Sequence, residues 1–241
     1  MNRFTKLSRS LGVFFFGCGI LADILLFALL SWPGLEAYFY FDYMPAQEAL
    51  TTLKCPLFLT PRDRGQVTVT YSNPSRLTLV PQFQVNISSP DLMFRTVDTA
   101  PSITPGETKE LHWDITSQDV VFAHLILAEV YVSPVYDTPD RVGRCGTLWV
   151  DVPQLTGEEI FAGVLAASLL FIALGWGLWI ASRHSRRGSK PDVTGAMLAL
   201  TAVVLFGTIA GIHGWWQFGV ACLVLSILLI LSTLGYLIQQ I

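Results

Sequence analysis

Charged residues are scarce in this 241-residue chain and make up only 14% of it, whereas soluble domains commonly carry about 25%. Residues 193–241 contain no Asp, Glu, Lys or Arg, while residues 33–157 hold most of the charges. The scarcity argues against a wholly water-soluble chain. Its uneven distribution indicates that one part of the chain lies in lipid and another part in water.

Signatures of catalysis and of cofactor binding are also absent. The sequence has no Gly-x-Ser-x-Gly motif, no phosphate-binding loop and no dinucleotide fingerprint. Its four His residues have no ligand spacing, and Cys145 lacks the following His that a cupredoxin copper site needs. We therefore expect no catalytic residue, no metal site and no cofactor. A membrane enzyme is the class with the least support.

Four apolar stretches are each long enough to cross a hydrocarbon layer about 30 Å thick, which takes roughly 20 helical residues. Because lipid offers the backbone no hydrogen-bond partners, each stretch is predicted to be a helix. For the first stretch we expect an uncleaved anchor, with a cleaved signal peptide as the alternative. The stretches are Leu11–Ser31, Ile160–Ala181, Val193–His213 and Gln217–Ile238.

The distribution of Lys and Arg predicts the orientation in a cell membrane. Three basic residues precede position 10 and four lie in the loop 183–192, and such segments stay in the cytoplasm. Both termini are then cytoplasmic. The predicted regions are a cytoplasmic N-terminus with helix 1 (1–32), an extracytoplasmic domain (33–157), helix 2 (158–182), a basic cytoplasmic loop (183–192) and a helical hairpin (193–241).

The extracytoplasmic region has the two-residue periodicity of β-strands. Residues 66–71, 82–87 and 110–115 alternate polar and apolar side chains, which is typical of strands with one buried face. Segments rich in Pro, Gly, Asn and Asp separate them. We predict an α+β membrane protein with a β-sandwich inserted between helices 1 and 2. Its strands are 52–60, 65–73, 77–88 (bent or broken at Pro81), 92–98, 107–115, 122–132 and 143–152.

The turns between these strands resemble those of a known group of domains. Ser72-Asn73-Pro74-Ser75 follows one strand, and Pro105-Gly106-Glu107 leads into Leu111-His112-Trp113. With Phe83-Gln84-Val85 between them, this segment of about 100 residues resembles the bacterial CARDB-type or NEW3-type immunoglobulin-like domains. The resemblance implies an immunoglobulin-like sandwich with an adhesion-like or spacer role.

Two of the four cysteines lie in the predicted sandwich. Cys55 and Cys145 fall on its first and last strands, and an oxidising compartment favours a disulfide between them. Such a bond would close a loop of about 90 residues and contribute roughly 4–5 kcal/mol by the chain-entropy argument. The alternative is two free thiols.

An aromatic run lies between the first helix and the first strand. It comprises Tyr38, Phe39, Tyr40, Phe41 and Tyr43. One hypothesis is an exposed patch that meets a partner or the membrane interface. The other is an extra strand or a flap over the sandwich core.

Asp23 lies about midway along the first helix, where a carboxylate costs roughly 2.5–3.5 kcal/mol. Gly19, four residues earlier, shares its helix face and permits close approach. Asp23 could pair with another subunit, be protonated and bonded within its own bundle, or belong to a proton or ion path. Candidate partners in the bundle are Ser168, Thr201, Thr208, Ser226, Ser232 and Thr233.

Small residues four apart predict close helix packing at Gly207 with Gly211 and at Gly163 with Ala167. These pairs do not establish an oligomeric state.

The functional expectation is a non-enzymatic multi-pass protein. Its outer sandwich would serve as a scaffold, adhesion or accessory-subunit module that binds another membrane or cell-surface protein. Acidic residues outnumber basic ones in residues 33–157, which argues against nucleic acid as a partner. The alternative is a small transporter or channel component that uses Asp23.

Overall fold

The computed structural model describes residues 3–41, 46–136, 138–183 and 191–238. The chain divides into two compact units. One is a β-rich unit, Trp32–Glu158, and the other is a helical unit, Met1–Ser31 with Glu159–Ile241. The protein is therefore an α+β protein.

The described residues form four long helices: α1 (Arg3–Tyr40), α2 (Gly157–Arg183), α3 (Pro191–Ile212) and α4 (Trp216–Ile238). Three of them are long and apolar enough to cross a membrane, over Ser10–Tyr40, Gly157–Ser182 and Thr194–Ile212. Within the described part of α4, the apolar stretch is the shorter Trp216–Ser232. Three long apolar helices fit a membrane protein.

Helix α1 extends further than predicted, through Pro33 to Tyr40. The predicted span, taken from the apolar run, ended at Ser31. A proline inside a helix removes one backbone hydrogen bond and crowds the preceding turn. The helix continues because its last turns are packed, with Ala37 fully buried. In addition, Trp32 Nε1 donates to Glu36 Oε1 at 2.9 Å, one turn apart.

Nine strands are described in the β-rich unit. They are β1 (Glu48–Ala49), β2 (Leu53–Lys54), β3 (Phe58–Leu59), β4 (Gly65–Ser72), β5 (Phe83–Ser89), β6 (Met93–Thr99), β7 (Thr108–Ile115), β8 (Leu125–Val132) and β9 (Arg141–Trp149). One sheet has the order β1-β9-β8-β5-β6, with β3 also paired to β9. The other has the order β2-β4-β7.

The two sheets bury the apolar side of each alternating strand between them. Val67 and Val69 of β4 are fully buried, as are Phe83 and Val85 of β5. The Phe83 ring lies 6.3 Å from the Trp113 ring of β7, centroid to centroid, and so joins the two sheets. This arrangement is a β-sandwich, as the alternation predicts.

Three predicted strands differ from the observed ones. The strand predicted at 52–60 is divided at Pro56 into β2 and β3, which belong to different sheets. Residues 77–82 form only an isolated bridge at Leu79, because Pro81 cannot donate to a ladder. Residues 122–124 form a turn, and Phe122 has a left-handed φ of 51°, so β8 starts at Leu125.

A disulfide joins Cys55 to Cys145, whose Cα atoms are 6.0 Å apart. Cys55 lies where the chain crosses from β2 to β3, and Cys145 lies in β9. The bond therefore holds the crossing segment to the larger sheet. Cys18 and Cys222 are free thiols.

Removing this disulfide with Cys55→Ser and Cys145→Ser should destabilise the β-rich unit by about 4–5 kcal/mol, because the unfolded chain loses the closure of a long loop. The expected result is a lower urea midpoint for proteolysis of Trp32–Glu158 in the full chain. Cys18→Ala, outside the sandwich, is the control and should leave the midpoint unchanged. Equal midpoints for all three proteins would contradict the stabilising role.

Candidate functional site

The sandwich has two poles, and the chain enters and leaves the unit at the same one. We call this the proximal pole. Strand register places the segments 60–65, 89–93, 115–125 and 148–157 there: Gly65 pairs with Ile115, Ser89 with Met93, and Leu125 with Leu148. Trp32, which begins the unit, contacts His124 ring to ring at 6.1 Å. The opposite end, with the loops 73–82 and 133–140, is the distal pole.

At the proximal pole, Asp63 binds the first residue of α2. Its Oδ2 accepts hydrogen bonds from the backbone N of Gly157 at 2.8 Å and of Thr60 at 2.9 Å. The Thr60 hydroxyl donates to Leu155 O at 2.8 Å. Since Gly157 is the first residue of α2, the carboxylate caps the positive end of that helix. We call the hydrogen bonds of Asp63 to Thr60 and Gly157 the Asp63 clamp.

The hydrogen bonds change the acidity of Asp63. Partial burial raises the pKa of its carboxyl, but the backbone donors of Gly157 and Thr60, the Thr60 hydroxyl and the charge of Arg62 outweigh that effect. The net pKa is lowered. The ionised form is therefore the one that binds α2 to the pole.

Exposed apolar side chains also lie at the proximal pole. They are Leu92 and Met93 of the β5–β6 turn, Phe122, Leu155 and, from the end of α1, Phe39. The Tyr40 hydroxyl donates to Met93 O, and the Tyr40 and Phe122 rings lie 5.9 Å apart. The end of α1 and two loops thus form one apolar surface.

The distal pole is braced by polar contacts. Asn73, which is fully buried, donates through Nδ2 to Leu77 O at 2.8 Å and to Ile103 O at 2.9 Å. Ser133 N donates to Gln82 O at 3.0 Å and so joins the two loops. Among the described residues, these loops expose Leu77, Val80 and Tyr136, the last with a φ of 53°.

A polar row crosses the outer face of the larger sheet. Asn86 Nδ2 donates to Glu129 Oε1 at 3.2 Å, and Arg144 Nε donates to Glu129 Oε2 at 2.6 Å. At the other end, Thr96 Oγ1 donates to Asn86 Oδ1 at 2.8 Å. The ion pair is buried, with side-chain exposures of 10% for Arg144 and 2% for Glu129. The Arg144 guanidinium lies over the Tyr38 ring at 5.6 Å.

The residues of the aromatic run, predicted to form a patch, a strand or a flap, do not share one environment. Tyr38, Phe39 and Tyr40 belong to the last turn of α1, so the predicted extra strand is wrong. Phe41 is buried beside Leu125 and Leu127 on the outer face of the larger sheet, rather than over the core between the sheets. Phe39 is 73% exposed. Tyr43 lies outside the described residues.

Asp23 is fully buried in the helical unit. Thr208 Oγ1 of α3 donates to Asp23 Oδ1 at 2.8 Å, while Oδ2 has no hydrogen-bond partner among the described residues. Asp23 thus bonds within its own bundle, and its pairing with a second subunit stays a prediction. Gly19 faces α2 instead, where an added Cβ would lie 2.7 Å from Ile172 N.

The other candidate hydroxyls have different surroundings. Ser168 donates to Leu165 O, and Thr201 donates to Met197 O. Ser226 is fully buried without a partner in the described part of the chain. Ser232 is exposed, and the side chain of Thr233 lies outside the described residues.

Of the two small-residue pairs, one packs and one does not. An added Cβ would lie 3.3 Å from the Phe27 ring at Gly207 and 2.9 Å from Leu30 Cβ at Gly211, so α1 packs closely on α3 there. At Gly163 an added Cβ would meet nothing within 4 Å, and Ala167 is exposed. The contact predicted for that pair is absent because α2 packs through another face, which carries the following residues: Ser168, Ile172 and Gly175.

Within the described ranges, no three His, Cys, Asp or Glu residues lie close enough together to hold a metal ion. His112 and His124 are exposed on the sandwich.

Comparison with known proteins gives limited matches. No family model matches the chain. Synaptotagmin-9 of Rattus norvegicus and that of Mus musculus are each 28% identical over 90 residues, which cover 37% of this chain. The chain spans 18% of the length of these curated relatives.

Two solved structures are similar to part of the chain. A CARDB domain from Pyrococcus furiosus is 14% identical with a TM-score of 0.32, over 42% of this chain and 90% of that one. A beta-glucosidase from Listeria innocua is 18% identical with a TM-score of 0.30, over 47% of this chain and 18% of that one. The first is of the CARDB type that the turns of the sandwich resemble.

The Asp63 clamp predicts a pH dependence. Because its folded pKa is lowered, its stabilisation is fully present above the unfolded Asp pKa of about 3.9 and is lost as pH falls through the folded value. Amide exchange at Gly157, corrected for intrinsic rates, should accelerate below about pH 4. Asp63→Asn should accelerate it at neutral pH and remove the acid dependence. Asp151→Asn, at an exposed site, is the control; an Asp63→Asn profile that matches it would contradict the clamp.

The contact between Asp23 and Thr208 predicts a measurable coupling. Asp23→Ala and Thr208→Val should be non-additive by about 0.6 kcal/mol, the usual size for a hydrogen bond between membrane helices. Thermal unfolding of the full chain in mild detergent measures this double-mutant cycle. Thr201→Val, whose hydroxyl bonds elsewhere, should be additive with Asp23→Ala. Coupling of the same size in both cycles would show that the effect is not specific to Thr208.

Proposed function

We propose that this chain is a non-enzymatic, four-span protein of the cell membrane whose extracytoplasmic sandwich docks another membrane or cell-surface protein. It acts as a scaffold, adhesion module or accessory subunit. Both termini lie in the cytoplasm and residues 33–157 lie outside it.

The four-span arrangement is supported by length and charge. Helix α4 has 23 residues, or about 35 Å at 1.5 Å per residue, which suffices for a hydrocarbon layer of ~30 Å. It contains no charged residue. Basic residues cluster before position 10 and in the loop 183–192, the pattern of cytoplasmic segments.

An immunoglobulin-like topology is supported by strand order. The sheet β2-β4-β7 corresponds to strands A, B and E, and β9-β8-β5-β6 corresponds to G, F, C and C′. In this correspondence the loops 73–82 and 133–140 are the B–C and F–G loops. Immunoglobulin variable domains use these two loops at one end to bind their ligands.

The observation that carries the docking role is the distal pole. Tyr136 is 76% exposed, and Leu77 and Val80 are exposed on the facing loop. These apolar side chains stand on loops that Asn73 and Ser133 hold in place, so little conformational entropy is lost on binding. Exposed aromatic anchors on ordered loops are typical of protein interfaces.

A transport role through Asp23 has less support. The carboxyl is enclosed, and its bonded oxygen is taken up by Thr208. A relay needs further ionisable groups. Besides Asp23, the four predicted spans contain no Asp, Glu, Lys or Arg, and their one His, His213, is the last residue of the third span.

A photo-crosslinking amino acid at position 136 tests the docking role in intact cells. A membrane or cell-surface protein should crosslink at position 136 and not at Thr70, an exposed residue on the face of β4. The pair Leu77→Ser with Val80→Ser should reduce that crosslink about tenfold or more, since a buried anchor contributes ~2 kcal/mol or more to an interface. Crosslinks that are equal at both positions, or unchanged by the serine pair, would overturn the proposal.

A further inference from the structure

The proximal pole carries a second exposed apolar surface that the docking role does not use. Leu92 and Phe39 are each 73% exposed, Phe122 is 60% exposed, and Met93 and Leu155 are also exposed. They come from four separate segments of the chain, and the Tyr40 contacts with Met93 and Phe122 hold three of these segments together. A surface assembled from distant segments is a property of the fold rather than of one loop.

The backbone at this surface is held in an unfavourable conformation. Among the described residues, four that are not glycine have a positive φ, and three of them are here: Met93 at 66°, Phe122 at 51° and Ala123 at 67°. Bulky side chains rarely adopt this region. Such conformations persist where the surrounding structure over-determines them, and they are commonly found at functional sites.

The chain itself indicates what covers this surface. The β-rich unit begins at Trp32, beside His124, and ends at Gly157, which Asp63 binds. Both ends of the unit are therefore at the proximal pole. Each end continues into a helix long and apolar enough to cross a membrane.

The length of α1 gives the depth of its end. The apolar stretch Ser10–Tyr40 has 31 residues, or about 46 Å of helix, close to the ~40–45 Å of a bilayer with its headgroup layers. If Ser10 lies at the inner headgroup boundary, Phe39 and Tyr40 lie at the outer one. Aromatic residues are enriched at this level.

We propose that the proximal pole is a membrane-lying surface, in which Phe39, Leu92, Met93, Phe122 and Leu155 enter the outer headgroup layer of the bilayer that the chain spans. The occupant is lipid and not a protein. Contact is made by apolar insertion, so zwitterionic lipid suffices. This inference rests on the extracytoplasmic placement given in the proposed function.

Spin labels in nanodiscs of phosphatidylcholine test the inference on the full chain. In a Cys18→Ala and Cys222→Ala background the disulfide stays intact, and single cysteines are placed by Leu92→Cys, Phe122→Cys, Leu77→Cys or Val80→Cys. The measured quantity is the accessibility of each label to oxygen divided by its accessibility to a water-soluble nickel chelate. This ratio should be several-fold higher at positions 92 and 122 than at positions 77 and 80. These four positions are all exposed and apolar. Leu92→Cys leaves the Tyr40–Phe122 ring contact intact, so it checks the result obtained at position 122.

Equal nickel accessibility at both poles would overturn the lipid contact, because the nanodisc contains no other partner. A second measurement separates this failure from that of the proposed topology. In sealed cells, the thiol introduced by Thr70→Cys, at an exposed position on the face of β4 and outside the docking surface, should react with a membrane-impermeant reagent from outside. If it reacts and position 122 is open to nickel, only the lipid contact is wrong; if it does not react, the topology and the inference both fail.

Discussion

The last turns of α1 lie over the outer face of the larger sheet, and the packing of the β-rich unit depends on this contact. Ala37 and Phe41 bury Leu125 and Leu127. At Gly146 an added Cβ would lie only 2.3 Å from Pro33 O, so the helix backbone rests directly on β9. Strand β8 is consequently buried on both faces at nearly every position. The unit has three layers: the smaller sheet, the larger sheet and a helix end.

The covered face also encloses charge. Asn86, Glu129 and Arg144 lie in one register row across β5, β8 and β9. Buried ion pairs add little net stability, yet removing one partner costs about 3–5 kcal/mol. A one-residue slip of β8 would turn Glu129 into the core and Val130 towards the helix. The row therefore opposes any register other than the observed one, while the hydrophobic core supplies most of the stability.

Periodicity in the sequence predicts the regular strands well. The predicted strands 65–73 and 107–115 lie within a residue of Gly65–Ser72 and Thr108–Ile115 at each end. The apolar run did not predict that α1 continues through Pro33 to Tyr40, because these last turns are maintained by tertiary packing that a local pattern does not contain. The sequence did contain one signal that the outer face of β8 is covered by another element. Leu125-Ile126-Leu127-Ala128 is apolar at consecutive positions, which is typical of a strand buried on both faces.

The candidate sites were harder to predict than the strands. Asp63 acts on Gly157, 94 positions later, and no spacing rule relates them. Leu92, Met93 and Phe122 stand in turn segments, where apolar residues carry no periodic signal. Their convergence follows from strand register alone. Asp23 was identifiable because a carboxylate in an apolar helix is conspicuous, but its choice of Thr208 depends on how α1 and α3 pack.

Two unfavourable features coincide at the proximal pole. A left-handed φ at a residue other than glycine costs about 1–3 kcal/mol, and each exposed large apolar side chain forgoes roughly 1.5–3 kcal/mol of burial. At Met93 and Phe122 the same residue has both. Side chains that faced inward would avoid the cost of exposure. The hydrogen bond from the Tyr40 hydroxyl to Met93 O and the contact of the Tyr40 ring with Phe122 hold both residues in the outward conformation. The fold thus holds apolar groups outward at the pole where the chain enters and leaves the β-rich unit, and the lipid contact proposed above would remove those groups from water.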